Sequence, residues 1–107
     1  MTTLDDRRNA FERKFAHDAE LRFRTTARRN KLLGLWAAER LGKSGPDAEA
    51  YARNVVAADF QEPGDEDVIR KVRGDLEAAG LGGGWSQLHR MVDELMVRAA
   101  QEIQAES

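Results

Sequence analysis

The sequence predicts an all-α protein, a four-helix bundle with a long, partly free N-terminal helix. Helix-favouring residues, above all Ala, Arg, Glu and Leu, are abundant among the 107 positions, and β-branched residues are few. No alternation of apolar and polar residues with a period of two marks a strand. Three turn segments, 42–46, 61–67 and 80–85, hold both prolines and most of the glycines, and they divide the chain into four helical stretches.

The first helix is predicted over residues 4–41. Thr3 can cap its N-terminus, and Gly42 can end it as a glycine in the left-handed conformation. Large apolar residues are dense in positions 32–41 and sparse in positions 4–18, so only the second half has the composition of a core helix. The apolar residues form one stripe about 140° wide: Leu4, Phe11, Phe15, Ala19, Phe23, Leu33, Trp36, Ala37 and Leu41.

Three shorter helices follow. The second is expected from Pro46 to about Phe60, with Ser44 as a cap; the third follows the cap Asp65 and ends at Gly80. Ser86 is expected to cap the fourth. Short connections favour antiparallel packing of neighbouring helices. The predicted core faces are Ala48, Tyr51, Ala52, Val55, Val56 and Phe60; Val68, Ile69, Val72, Leu76 and Ala79; and Leu88, Met91, Val92, Leu95, Met96, Ala99 and Ile103.

The predicted domain organisation is an N-terminal segment, residues 1–18, here called the leading segment, followed by the bundle domain, residues 19–107. The first helix exceeds the others by about four turns, so its front end must overhang. The charged residues also distinguish the two ends of the chain. Residues 1–31 carry nine Lys and Arg against five Asp and Glu, and the remainder carries eight against fourteen. A basic end on an acidic body indicates an electrostatic partner for the first segment.

The residue types that catalysis requires are absent or poorly spaced. The chain has no cysteine, and His17 and His89 lack the spacing of a zinc or di-iron site. The acidic clusters 65–67 and 93–94 are expected to be charges at the start of a helix and on a solvent-exposed helix face. The glycines of 80–84 lack the Lys-Ser/Thr that ends a phosphate-binding loop. We therefore predict that the protein is not an enzyme and holds no metal.

A cytoplasmic location is expected. The first residues form no apolar signal sequence, and no apolar run approaches the about 20 residues of a membrane span.

Nucleic-acid binding is disfavoured in spite of the basic run "RFRTTARRNK". Arg22 and Arg29 lie near the apolar stripe, whereas Arg24, Arg28 and Lys31 lie on the opposite side, so the charges form no continuous patch. The isoelectric point of about 5.7 is also unlike the basic balance of a DNA-binding domain. Arg22 and Arg29 can equally well pair with carboxylates of the acidic helices.

Two interpretations of the leading segment stay open on its residues alone. Its phenylalanines can pack on the bundle, or the segment can bind as an amphipathic helix in the groove of a partner. An isolated helix of about 15 residues is marginal in water, so such a segment would be poorly ordered alone and would order on binding. In the second case the apolar anchors are Leu4, Phe11 and Phe15, and Arg7, Arg8, Arg13 and Lys14 steer the segment toward an acidic partner.

Two long stretches carry a family resemblance. "FAHDAELRFRTTARRNKLLGLWAAERLG", residues 15–42, and "AYARNVVAADFQEPGDEDVIRKVRGDL", residues 50–76, resemble the zeta subunit of the alphaproteobacterial F1Fo ATP synthase. The resemblance covers nearly the whole chain. It implies a four-helix protein that inhibits ATP hydrolysis by the F1 sector.

The resemblance also implies how the protein would act. The N-terminal segment would enter a catalytic α/β interface near the central stalk and block rotation in the hydrolytic direction. Its partners would be the α and β subunits and the γ subunit of the stalk, and it would meet the inner membrane only through the ATP synthase. The predicted partner-binding residues are Leu4, Arg7, Arg8, Phe11, Lys14, Phe15, His17 and Asp18.

The sequence leaves alternatives open for His17, for a nucleotide site and for the function. His17 is either a solvated helix histidine beside Arg13 or a pH sensor, because its ordinary pKa lies near neutrality. No cofactor is expected; a regulatory adenine nucleotide is conceivable because ATP is the partner's substrate, but no motif identifies a site. Without the resemblance, the residues favour a generic helical protein–protein interaction module, with a nucleic-acid binder as the third choice.

Overall fold

The computed structural model describes residues 3–59, 66–81 and 85–106, and within these ranges it contains four helices and no strand. The all-α prediction is therefore confirmed, and so is the number of helices. The helices are α1 (Thr3–Arg40), α2 (Gly45–Ala58), α3 (Glu66–Ala78) and α4 (Trp85–Glu106).

The helix boundaries differ from the predicted ones by one or two residues, which is the usual uncertainty at helix ends. The backbone of the predicted cap residues Thr3 and Ser86 is helical, because α1 already includes Thr3 and α4 begins at Trp85. Ser44 does occupy the cap position of α2, with extended backbone, but its side chain makes no capping hydrogen bond. Phe60 and Asp65 lie outside the described residues.

Helices α1 and α3 end in the same way. Gly42 and Gly80 have φ angles of 78° and 75°, the left-handed region that a residue with a Cβ rarely adopts. Both helix ends are closed by the hydrogen bonds of a Schellman motif, as the glycines predicted. The longer bond of each motif runs from Lys43 N–H to Ala38 O (2.9 Å) and from Leu81 N–H to Leu76 O (2.8 Å).

The core lies around the second half of α1. That half packs mainly against α2 and α4, and α3 contacts all three other helices. The predicted core faces are largely confirmed. Ala19, Phe23 and Ala79 are exceptions, because all three are exposed. The buried cluster comprises Leu33, Ala37, Ala38, Tyr51, Val55, Val68, Ile69, Val72, Leu76, Leu88, Val92 and Leu95.

Helices α1 and α2 approach each other closely at a glycine. A Cβ atom placed on Gly34 would lie 2.6 Å from the Cα of Ala52. Because real Cβ atoms do not come that near to backbone, the two helices can cross at this distance only with glycine at position 34.

The molecule is elongated because α1 is longer than the bundle. It measures 64 × 25 × 21 Å, and its radius of gyration of 17.4 Å exceeds the about 13 Å of a compact chain of this length. All described side chains between positions 7 and 20 are exposed, and Leu21 is the first that is half-buried. The front of α1 therefore projects beyond the bundle. The exact boundary of an inhibitory segment at residue 18 stays a prediction.

None of the described helices combines the length and the apolar character that crossing a bilayer requires.

Candidate partner-binding segment and its base

The leading segment is helical from Thr3 onward, as part of α1. Of the predicted partner-binding residues, Arg7, Lys14, His17 and Asp18 are exposed to solvent. Exposure of His17 agrees with its interpretation as a solvated histidine. For the other four, the backbone belongs to α1 and the side chains lie outside the described part of the structure: Leu4, Arg8, Phe11 and Phe15. Low order of this segment in the free protein stays a prediction.

The helical backbone brings most of these positions onto one face. At 100° per residue, positions 4, 7, 11, 14, 15 and 18 fall within an arc of about 100°. Arg8 and His17 flank that arc on its two sides. The segment thus presents one continuous strip of mixed apolar and charged positions. A helix that binds in the groove of a partner contacts the groove through a strip of about this width.

The segment leaves the bundle at a group of charged side chains from α1 and α4. Arg28 of α1 donates hydrogen bonds to Glu102 Oε1, at 2.8 Å, and to Glu106. Arg24 Nη2 lies 3.4 Å from Glu106 Oε2, and Arg98 Nε lies 3.0 Å from Glu102 Oε2. We call these five residues the ionic cluster. They join the base of the leading segment to the last turns of α4.

The ionic cluster shifts the pKa values of two of its members. Hydrogen bonds to Glu106 and Glu102 raise the pKa of Arg28. The hydrogen bond from Arg28, with that from Arg98, lowers the pKa of Glu102. Arg28 and Glu102 are therefore both charged at neutral pH, and the contact between the two helices is an ion pair.

The structure revises the interpretation of the basic run. Arg24 and Arg28 were expected on the side of α1 opposite the apolar stripe, and there the last turns of α4 supply their carboxylate partners. Arg29 is only 1% exposed, and its Nε and Nη2 donate to Asn30 Oδ1 at 3.0 and 2.7 Å. Arg22 is exposed. The described arginines thus form no continuous phosphate-binding surface.

One acidic residue was predicted wrongly. Asp67, expected on a solvated helix start, is buried, and its Oδ2 has no hydrogen-bond partner among the residues that the structure describes. Arg70 Nη1 lies 3.8 Å from its Oδ1. The reason is that the first turn of α3 is enclosed by the end of α2. Asp67 lines an open cavity of about 400 Å³ there, together with Asn54, Ala57, Ala58, Arg70 and Lys71.

The sequence reasoning missed the ionic cluster, although a weak signal existed. Arg24 and Arg28, like Glu102 and Glu106, are four residues apart and therefore share a helix face. The sequence does not reveal that the end of α4 lies beside positions 24–28. In the described ranges, no group of three or more His, Asp or Glu side chains is arranged to hold a metal ion.

Comparison with known proteins now identifies the family. The sequence model described as ATPase inhibitor subunit zeta matches residues 1–102. A protein solved in solution by NMR is 47% identical in sequence and superposes with a TM-score of 0.72, over 81% of this chain and 99% of that chain. No curated protein matches the sequence. Since the family match extends over nearly all of the 107 residues, the chain belongs to the ATPase inhibitor subunit zeta family.

Proposed function

We propose that this chain inhibits ATP hydrolysis by the F1 sector of ATP synthase by inserting its leading segment at a catalytic α/β interface near the central stalk. Membership of the inhibitor family supports the inhibitory role. The observation that carries the insertion step is the overhang of α1, whose described side chains from position 7 to position 20 are all exposed. A helix that its own bundle leaves uncovered is available to a foreign groove.

The inhibition follows from a difference in affinity between rotary states. A helix wedged in the α/β interface stops turnover when it binds one state of that interface more tightly than the states that follow it. Each factor of ten in that preference corresponds to about 1.4 kcal/mol. Rotation in the synthetic direction would open the occupied interface and release the helix. The block would therefore act in the hydrolytic direction alone.

The chemistry of the segment suits such a site. Phe11 and Phe15 are one turn apart and would serve as the apolar anchors. Arg7 and Lys14, which are exposed on the same face, would speed the encounter with an acidic surface. The partners in this proposal are the α, β and γ subunits, which places the protein at the cytoplasmic F1 sector.

Titration of isolated F1 with full-length protein and with a variant lacking residues 1–18 tests the proposal. The full-length chain is expected to inhibit ATP hydrolysis, and the truncated chain is expected to lose inhibition while keeping its helical circular dichroism. A truncated chain that still inhibits would place the inhibitory contact on the bundle. A full-length chain without effect would leave a generic helical interaction module as the function, and a mobility-shift assay with nonspecific DNA would check the third alternative.

Two double variants test which face of the leading segment is needed for inhibition. Phe11→Ala with Phe15→Ala removes the proposed anchors, and Asn9→Ala with Glu20→Ala changes two exposed positions on the opposite side of the same helix. Both variants place alanine, a strong helix former, at every changed position. The first is expected to raise the half-inhibitory concentration at least about tenfold, because it deletes two large apolar contacts. The second should leave that concentration within a factor of about three.

A further inference from the structure

A groove runs along the surface of the bundle between α1 and α2 and reaches the last turns of α4. Two open cavities, of about 300 and 370 Å³, adjoin there at Lys31 and Val56, which line both. We call the two cavities together the basic groove. The basic side chains that line it are Arg24, Arg28, Lys31 and Arg53, and the acidic one among the described lining residues is Glu49.

The positive charge of the basic groove is only partly neutralised by the bundle. Arg24 and Arg28 bond carboxylates within the ionic cluster, but that cluster holds three arginines against two glutamates. Lys31 and Arg53 are exposed, and no ion pair joins either of them to a described residue. Residues 32–107, by contrast, carry eight Lys and Arg against fourteen Asp and Glu. The basic groove is therefore a positive region on an acidic body, and it attracts carboxylates.

Apolar side chains form the bottom of the basic groove. Phe23 is 58% exposed, Ala27 and Val56 are half-buried, and Ile103 of α4 is buried beneath them. An apolar side chain that covers this surface stabilises a complex by about 25 cal/mol for each Å² of apolar area removed from water. The basic groove thus suits a ligand that combines carboxylates with a large apolar side chain.

We propose that the basic groove binds an acidic, amphipathic segment of an F1 subunit, with carboxylates paired to Lys31 and Arg53 and an apolar side chain against Phe23 and Val56. The choice of F1 as the partner rests on the proposed function. A chain of phosphates suits the groove less well, because two of its four basic side chains already bond carboxylates of α4 and its apolar bottom would stay uncovered.

This contact does not depend on the order of the leading segment in the free protein. The lining residues all follow Leu21, the first half-buried side chain of α1. Phe23 is only five residues beyond the end of the leading segment, a stretch of chain that spans at most about 17 Å. Docking through the basic groove would therefore raise the effective concentration of a poorly ordered leading segment beside its site into the millimolar range. The groove would supply affinity, and the leading segment would supply the block.

Charge reversal in the full-length protein tests the proposal. The test variant is Lys31→Glu with Arg53→Glu. The matched control is Lys43→Glu with Arg90→Glu, which changes the net charge equally at two exposed residues that line neither cavity. Inhibition of isolated F1 is measured over a range of protein concentrations, and circular dichroism checks that each variant keeps its helices.

The half-inhibitory concentration of the test variant is expected to rise about tenfold, because two attractive charge contacts become repulsive. That of the control should stay within a factor of about three. Both variants should reach the same maximal inhibition, since the leading segment is unchanged. Lys31→Arg with Arg53→Lys, which keeps both charges, should inhibit like the unmodified chain. Equal rises in the test and control variants would overturn the proposal, and so would a lower maximal inhibition at an unchanged half-inhibitory concentration.

The apolar part of the contact has its own pair of variants. Phe23→Ala is expected to raise the half-inhibitory concentration at least about threefold, because it removes apolar contact area. Val97→Ala changes an apolar side chain that is 60% exposed on α4 and lies outside the basic groove, and it should have no effect. Equal inhibition by the two variants would show that the groove makes no apolar contact.

Carbodiimide cross-linking of the complex of the unmodified chain with F1 identifies the occupant, because this reagent joins lysine ammonium groups to carboxylates in contact with them. We expect Lys31 to be linked to an Asp or Glu of an F1 subunit. Links at other lysines with none at Lys31 would overturn the proposal. Binding to phosphatidylglycerol vesicles that the charge reversal abolishes, with inhibition of F1 unaffected, would assign the groove to a membrane surface instead.

The same measurements separate this proposal from the proposed function. A chain that is linked to F1 through Lys31 and does not inhibit would overturn the proposed function and leave the docking surface in place. A chain that inhibits F1 equally with and without the charge reversal would overturn the docking surface alone. A chain that neither binds nor inhibits F1 would overturn both.

Discussion

Tyr51 shows how a single side chain ties two helices together. Its hydroxyl donates a hydrogen bond of 2.7 Å to Asp75 Oδ2, and Lys71 Nζ lies 3.1 Å from the same oxygen. The ammonium of Lys71 also lies 5.4 Å from the centre of the tyrosine ring. The contact joins α2 to α3. Burial of the phenol, together with its hydrogen bond to Asp75 and the charge of that carboxylate, raises the pKa of Tyr51.

The raised pKa of Tyr51 predicts that the folded protein loses stability at alkaline pH. The folded state holds Tyr51 in its neutral form, so the contribution of Tyr51 to the free energy of unfolding is complete below the ordinary tyrosine pKa of about 10 and declines as the pH rises above it. Tyr51 is the only tyrosine, so absorbance near 295 nm reports it alone. We expect its titration well above pH 10 while the protein is still folded.

Asp75→Asn should lower the pKa of Tyr51, because it removes the carboxylate charge. Tyr51→Phe should remove this alkaline dependence and reduce the free energy of unfolding by about 1 kcal/mol at neutral pH. Titration of Tyr51 near pH 10 in a protein that keeps its helical circular dichroism would contradict the expectation.

At the scale of the helices, two glycines inside α-helices allow a matched test. Gly34 of α1 faces α2, and a Cβ there would lie 2.6 Å from Ala52 Cα, 3.1 Å from Ala52 Cβ and 3.3 Å from Val55 Cβ. Gly74 of α3 is exposed, and a Cβ there would meet nothing within 4 Å. Both glycines lie in helix interiors, where alanine is favoured by about 1 kcal/mol.

The two glycine-to-alanine substitutions should therefore change the free energy of unfolding in opposite directions. Gly74→Ala is expected to raise the free energy of unfolding by up to about 1 kcal/mol. Gly34→Ala is expected to lower it, because separating α1 from α2 costs roughly 1–3 kcal/mol and exceeds the gain in helix propensity. Urea unfolding of both variants measures the difference. Equal stabilisation by the two substitutions would show that α1 and α2 do not cross as closely as described.

At the scale of the whole molecule, the bundle is expected to fold without the leading segment. The described side chains between positions 7 and 20 are exposed, so removing residues 1–18 deletes none of the described core contacts. The free energy of unfolding should change by no more than about 0.5 kcal/mol. Small-angle scattering should show a radius of gyration that falls from 17.4 Å toward the about 12 Å of a compact chain of that length.

The same experiment decides between the two interpretations of the phenylalanines. If Phe11 and Phe15 packed on the bundle, their loss would lower the free energy of unfolding by several kcal/mol. A large loss of stability on truncation would therefore exclude a leading segment that is free in solution.

The sequence by itself determined the secondary-structure elements of this protein. Helix-favouring residues, apolar faces with helical period and glycines at helix ends specify four helices, because these signals depend on residues close together in the chain. Gly42 and Gly80, predicted as the ends of α1 and α3, have the expected conformation. The excess length of the first helix, and hence its overhang, also followed from the sequence. The family resemblance, carried by residues 15–42 and 50–76, is confirmed by the family match.

Only the tertiary structure decided which charges are solvated and which are paired. Arg28 was expected on the side of α1 opposite the apolar stripe, and Asp67 on a solvated helix start. The first is paired with the end of α4, and the second is buried against the end of α2. The physical reason is that the environment of a charge depends on helices that are distant in the chain, whereas helix propensity and capping depend on near neighbours. The base of the leading segment could therefore not be located before α1 and α4 were placed side by side.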